Sequence, residues 1–142
     1  MQSTYSTVAP KIRPVLSGSE EIVAAYLFGS AESRRMRPDS DIDIAVLIDE
    51  EAGPFDRKKI HERILPSLSR ALRGDVHLLI LNDASYLARA QVFSKGELLY
   101  TRDHNQLARF RMKSFTLFAE FAPYLQKTRE AFRERTRSSH GG

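Results

Sequence analysis

The chain contains no cysteine and no tryptophan. Without thiols there is no disulfide scaffold and no thiolate site for zinc or an iron–sulfur cluster. No run of about 18 apolar residues occurs, so the sequence predicts no membrane span. The opening Met1-Gln2-Ser3-Thr4-Tyr5 lacks the apolar core of a signal peptide, and a cytoplasmic protein is expected. What remains is 142 residues, 42% hydrophobic and 28% charged, a composition too apolar for a disordered chain and sized for one domain.

Charge is unevenly placed. Residues 102–142 carry nine Lys or Arg against four acids, while residues 1–101 are close to neutral. A basic segment on a neutral body suits an acidic partner or nucleic acid, and equally a solvated helix face. No internal repeat is present, and Ser138-Ser139-His140-Gly141-Gly142 reads as a frayed end.

Three apolar runs predict buried strands: Ile22 to Phe28, stopped by Gly29-Ser30; Asp41 to Ile48, which opens polar; and Asp75 to Leu81, entered through Gly74. A fourth, short strand is predicted at Leu98-Leu99-Tyr100. A short helix is expected over residues 6–16, weakened by Pro10 and Pro14. Ile60, Ile64, Leu68 and Leu72 recur every fourth position, predicting a helix over 55–73 that Pro66 bends or splits. Residues 84–94 predict another, with Asp83 as candidate N-cap. From Asp103 a long helical pattern runs to about Arg135, with a kink expected at Pro123. Its phenylalanines are core-forming, and part of that stripe is expected to bury a partner chain.

Linker lengths set strand directions. Residues 31–39 are too few for a parallel crossover, so strands one and two should be antiparallel. About 25 residues with a helix join strands two and three, which should be parallel. The end of strand one and the starts of strands two and three then share one rim, where Gly29-Ser30, Asp41, Asp43 and Asp75 collect. Side chains alternate along a strand, so Asp41 and Asp43 face the same way, roughly 7 Å apart. Two carboxylates so placed repel unless cations sit between them. Three convergent carboxylates make a hard-oxygen site that suits Mg²⁺, and a two-ion arrangement would clamp an in-line phosphoryl displacement. Gly29 lets backbone approach a ligand closely, and free N–H groups beyond it favour phosphate, with the Ser30 hydroxyl as a further donor. Singly, each has a structural explanation: a turn, an exposed strand opening, a strand-entry residue. Jointly they point to a nucleotide held against Mg²⁺.

Gly29-Ser30, ten intervening residues and Asp41-Ile42-Asp43, preceded by Pro38-Asp39-Ser40, resemble the signature of the DNA polymerase β-type nucleotidyltransferases. More narrowly the chain is similar to their minimal, MNT type, whose members are often antitoxins paired with HEPN-domain toxins. Tyr26-Leu27-Phe28, Asp75 to Leu81, Asn82-Asp83-Ala84-Ser85 and Gly96 to Tyr100 extend the likeness over roughly residues 20–130. The resemblance implies an α/β (α+β) fold, a small mixed β-sheet flanked by helices with a long C-terminal helix. It divides the chain into a nucleotidyltransferase core over 1–101, a helical extension over 102–136 and a disordered tail over 137–142. It implies ATP as donor and two Mg²⁺ ions, with Gly29, Ser30 and Ser40 on the nucleotide. Asp41 and Asp43 would hold both metals, and Asp75 would ligate one and activate the attacking hydroxyl. That hydroxyl would belong to a tyrosine near the RNase centre of the toxin, with which a hetero-oligomer is expected.

Glu32 and Arg34 stand where the family usually has Ala and Gly. Arg34, Arg35 and Arg37 could neutralise triphosphate charge, although solvated loop charges are the simpler reading. His77 should share a face with Asp75, which would let it border the site, although a packed or edge histidine is the simpler reading; His61 and His104 are given no role. Two other functions compete: a non-catalytic antitoxin that neutralises its toxin by binding, and an aminoglycoside-type adenylyltransferase. Only about 40 residues follow the core, few for a small-molecule acceptor domain, and no primer-binding domain supports direct nucleic-acid binding.

Overall fold

The computed structural model describes residues 4–29 and 42–140, with residues 125–140 described as backbone. Helix α1 (Thr4–Ser17) leads to strand β1 (Ile22–Phe28), followed by β2 (Ile42–Ile48), α2 (Pro54–Leu72) and β3 (Val76–Ile80). A 3₁₀ turn (Leu81–Asp83), α3 (Tyr86–Lys95), β4 (Glu97–Thr101) and α4 (His104–His140) complete the order.

The four strands form one mixed sheet in the order β3-β2-β1-β4. β1 pairs antiparallel with β2 and β4, and β2 pairs parallel with β3, the directions that the linker lengths require. Strand alternation splits the core into two layers. Ala25, Leu27, Ile44, Val46 and Leu78 face α1 and α2, meeting Val8, Ile12, Leu16, Ile60, Ile64 and Leu68. Tyr26, Ala45 and Leu47 face α3 and α4, meeting Val92, Phe93, Leu107 and Phe110. Phe93 centres the second layer, edge-on to Tyr26 at 5.4 Å and to Phe110 at 6.1 Å between ring centroids. Burial holds the Tyr26 phenol above its ordinary pKa, against a smaller opposing pull from Arg111.

The prolines do not divide the helices. α1 runs unbroken through Pro10 and Pro14, and α2 is one helix through Pro66 rather than two. The stripes they carry explain this. Val8, Ile12 and Leu16 in α1 are buried against the sheet, as are Ile60, Ile64 and Leu68 in α2. Burying each such side chain contributes about 2 kcal/mol, comparable with the roughly 3 kcal/mol cost of an interior proline. Arg13 adds a tether, its Nε donating to the Leu99 carbonyl at 3.1 Å. α4 is assigned as helix through Pro123 and on to His140, past the residue 136 at which the sequence reading ends it. Gln126 to Arg137 is mostly Lys, Arg, Glu, Gln and Ala, all good helix formers, with no glycine before Gly141.

The cap of α3 also differs. Ser85, not Asp83, is the N-cap: its Oγ accepts from the Ala88 N–H at 3.1 Å. Asp83 lies in the 3₁₀ turn and takes a bidentate hold on Arg57, 2.6 Å at its shortest, from the first turn of α2. The neighbouring Asn82 amide pairs with both the N–H and the carbonyl of Ile48, fixing this turn to the end of β2. At its other end α3 closes on β1. A Cβ at Gly96 would stand 2.5 Å from the Val92 carbonyl oxygen and 3.0 Å from that of Leu27, so only glycine permits this approach.

In α4, Leu107 and Phe110 belong to the core, whereas Phe121 stacks on Tyr86 with centroids 5.7 Å apart. Met112 and Tyr124 are exposed. No described helix is long and apolar enough to cross a membrane.

Candidate active site

β1 ends where Gly29 turns the chain with φ +73°, in the left-handed region open to glycine. The residue before it, Phe28, lies opposite Asp43 across the antiparallel pair. Gly29 consequently lies against the Asp43 side chain. An added Cβ would meet a carboxylate oxygen of Asp43 directly and stand 2.9 Å from its Cγ. The glycine is required twice, by its dihedral and by this contact.

Asp43 opens an otherwise apolar strand and points to the α3/α4 face, the one carrying Ala45 and Leu47. Its side chain is 17% exposed, far less than an acid at a solvated strand opening. Across the parallel pair it lies beside His77, whose Nδ1 is 3.1 Å from Asp43 Oδ1. His77 is thus an exposed histidine of the edge strand β3 that borders the site rather than a packed one. The one-for-one register of β2 with β3 sets it against the carboxylate, a detail that linker lengths do not fix. Asp75, two residues earlier, has the same side of the strand by alternation. Its carbonyl accepts from the Ile42 N–H at 3.1 Å, so the start of β3 is fixed to the start of β2. Gly29 and Asp43 thus meet at the rim where the backbone of Asp75 leads into β3.

Ser30, Ser40 and Asp41 lie outside the described residues, as do Glu32, Arg34, Arg35 and Arg37. Among the described residues no group of three acidic, histidine or cysteine side chains is gathered for a metal. The donors present still fit the ion expected from the sequence. Asp43 and Asp75 carry carboxylate oxygens, the donor type that suits Mg²⁺, and the absence of a side chain at Gly29 leaves the Asp43 carboxylate room to lie at the rim. His61 is structural: its Nε2 is 3.1 Å from the Leu78 carbonyl oxygen, joining α2 to β3.

A cavity of about 230 Å³ adjoins this rim, between the sheet and α3. Phe28 and Leu79 line its sheet side, Ala88, Gln91, Val92 and Lys95 its helix side, and Gly29 its edge. The sequence reading missed it. The available signal was helical spacing, since 88, 91, 92 and 95 share one face of α3.

Known proteins share this fold. The family described as Polymerase beta, Nucleotidyltransferase matches residues 10–105. The protein adenylyltransferase MntA of Shewanella oneidensis is 33% identical over 107 residues, covering 75% of this chain and 70% of that protein. A crystal structure of a toxin–antitoxin with AMP-PNP superposes with a TM-score of 0.67 at 28% identity, over 90% of this chain and 97% of its counterpart. A tri-AMPylated Shewanella oneidensis HEPN toxin in complex with its MNT antitoxin gives a TM-score of 0.63 at 26% identity, over 94% and 98% of the two chains. The chain belongs to the polymerase β nucleotidyltransferase family, in its MNT antitoxin branch.

Proposed function

We propose that this protein is a cytoplasmic antitoxin that transfers AMP from ATP to a tyrosine hydroxyl of a cognate HEPN-domain RNase toxin, with which it forms a hetero-oligomer. The observation that carries this reading is the contact of Gly29 with Asp43 at the rim where β3 begins. It is the arrangement needed to bring a nucleotide's phosphates beside acidic ligands. The activity of MntA and the AMPylated toxin bound by an MNT antitoxin support the choice of donor and acceptor.

In this mechanism Gly29 and Ser30 would present backbone N–H groups and a hydroxyl to the phosphates, and Ser40 would assist. Asp41, Asp43 and Asp75 would hold two Mg²⁺ ions, which neutralise phosphate charge and favour ionisation of the acceptor. Asp75 takes the proton of the tyrosine hydroxyl. The phenolic oxygen bonds to the α-phosphorus as the bond from that phosphorus to the bridging oxygen of the β-phosphate breaks, releasing pyrophosphate. Holding both partners in line supplies much of the rate, since chemistry of this kind depends on positioning and charge stabilisation.

Incubating the protein with ATP, Mg²⁺ and its toxin should raise the toxin's mass by whole AMP units. The double substitution Asp41→Asn, Asp43→Asn should abolish the shift without unfolding the protein, and persistence of transfer would refute the site. A second reading, neutralisation by binding alone, draws on the exposed Met112 and Tyr124 of α4. It requires the double variant to protect fully against the toxin without ATP.

A further inference from the structure

We propose that the cavity between α3 and the sheet seats the purine base of the donor nucleotide, with Gln91 reading the base edge and Lys95 lying along the phosphate chain. The inference rests on the chain being an ATP-using transferase and adds where and how the nucleoside end is held.

Position is the first argument. The cavity lies on the same sheet face as Asp43: Phe28 is the cross-strand neighbour of Asp43, and Leu79 is two residues beyond His77 on β3. Gly29 borders both the cavity and the Asp43 carboxylate. A nucleotide with its phosphates at Gly29 has its base beside this opening, which Gly29 itself borders.

Size is the second. At about 230 Å³ the space is smaller than the roughly 300–1,000 Å³ of pockets that enclose a whole small ligand. It takes one ring system and leaves the charged remainder outside.

Chemistry is the third. Leu79, Ala88 and Val92 supply apolar walls, and the half-buried Phe28 adds an aromatic surface. Gln91 and Lys95 occupy the exposed part of the helix face, four residues apart and therefore adjacent. A glutamine amide offers one donor and one acceptor side by side, the pairing that adenine's amino group and ring nitrogen complete. The acceptor tyrosine ring would leave that amide unused. Lys95 provides a cation on the side towards a polyanion.

The test compares Mg²⁺-dependent binding of ATP and of inorganic tripolyphosphate, by calorimetry, in the full chain and two variants. Gln91→Ala removes the reading group from an exposed position that does not hold the fold, and Ala88→Leu fills the cavity. Each should weaken ATP binding about tenfold or more while leaving tripolyphosphate binding within twofold, and Gln91→Ala should also reduce the preference for ATP over GTP. Unchanged ATP affinity in both variants would overturn the proposal, as would an equal loss for both ligands or an effect confined to the KM for toxin. Wild-type protein that binds no ATP would instead overturn the underlying transferase reading.

Discussion

Gly29 and Asp43 compete for the same space: the place a Cβ would take on the glycine is already occupied by the aspartate carboxylate. Gly29→Ala should therefore act on the site through Asp43. The methyl group must displace the carboxylate, and a misplacement of about 1 Å at a reacting centre costs roughly a hundredfold in rate. The left-handed dihedral adds about 1 kcal/mol of backbone strain. AMP transfer by Gly29→Ala should fall at least about a hundredfold while circular dichroism retains the fold. A variant with near-normal transfer would show that the carboxylate can function elsewhere.

Ser85 and Asp83 are separable by substitution. Ser85→Ala removes the one side-chain cap of α3 and should cost about 1 kcal/mol in denaturant unfolding. Asp83→Ala breaks the pair with Arg57, half exposed on the aspartate side, and should cost no more than about 1 kcal/mol. Because Ser85 positions the helix that lines the cavity, its loss should also weaken ATP binding; equal and purely structural effects of both substitutions would contradict this.

The phenol of Tyr26 gives an alkaline signature. Its pKa lies above the ordinary value of 10.0, so the folded state retains a proton that the unfolded state releases first. This contribution is complete below about pH 10 and is lost as pH rises towards the folded value. Tyr26→Phe should flatten that decline. Stability curves of equal slope above pH 10 for both proteins would disprove it.

The strands and their directions were legible because hydrophobic runs and connection lengths are local properties. The order of those strands also made legible that the end of β1 and the starts of β2 and β3 share one rim. The cap of α3 was not legible. Asp83 and Ser85 are both good capping residues, and what decides between them is Arg57, 26 residues away in sequence, which claims Asp83. The partner of His77 was not legible for a similar reason: its meeting with Asp43 depends on a one-residue choice of register between β2 and β3. That Pro66 leaves α2 undivided was not legible, because a packing stripe across a helix is a tertiary gain that local propensity omits. Asp41, Ser30 and Ser40 were expected at the site and fall outside the described residues.

Gly96 has a mechanical consequence. The last turn of α3 rests on the Leu27 carbonyl, two residues before Gly29, while at the helix's other end Arg89 grips the carbonyls of Leu81 and Asn82 at 2.8 and 2.7 Å. Both ends of the helix are thus clamped to the strand framework that bears the acids. Any side chain larger than hydrogen at Gly96 would therefore have to lever the last turn of α3 away from β1.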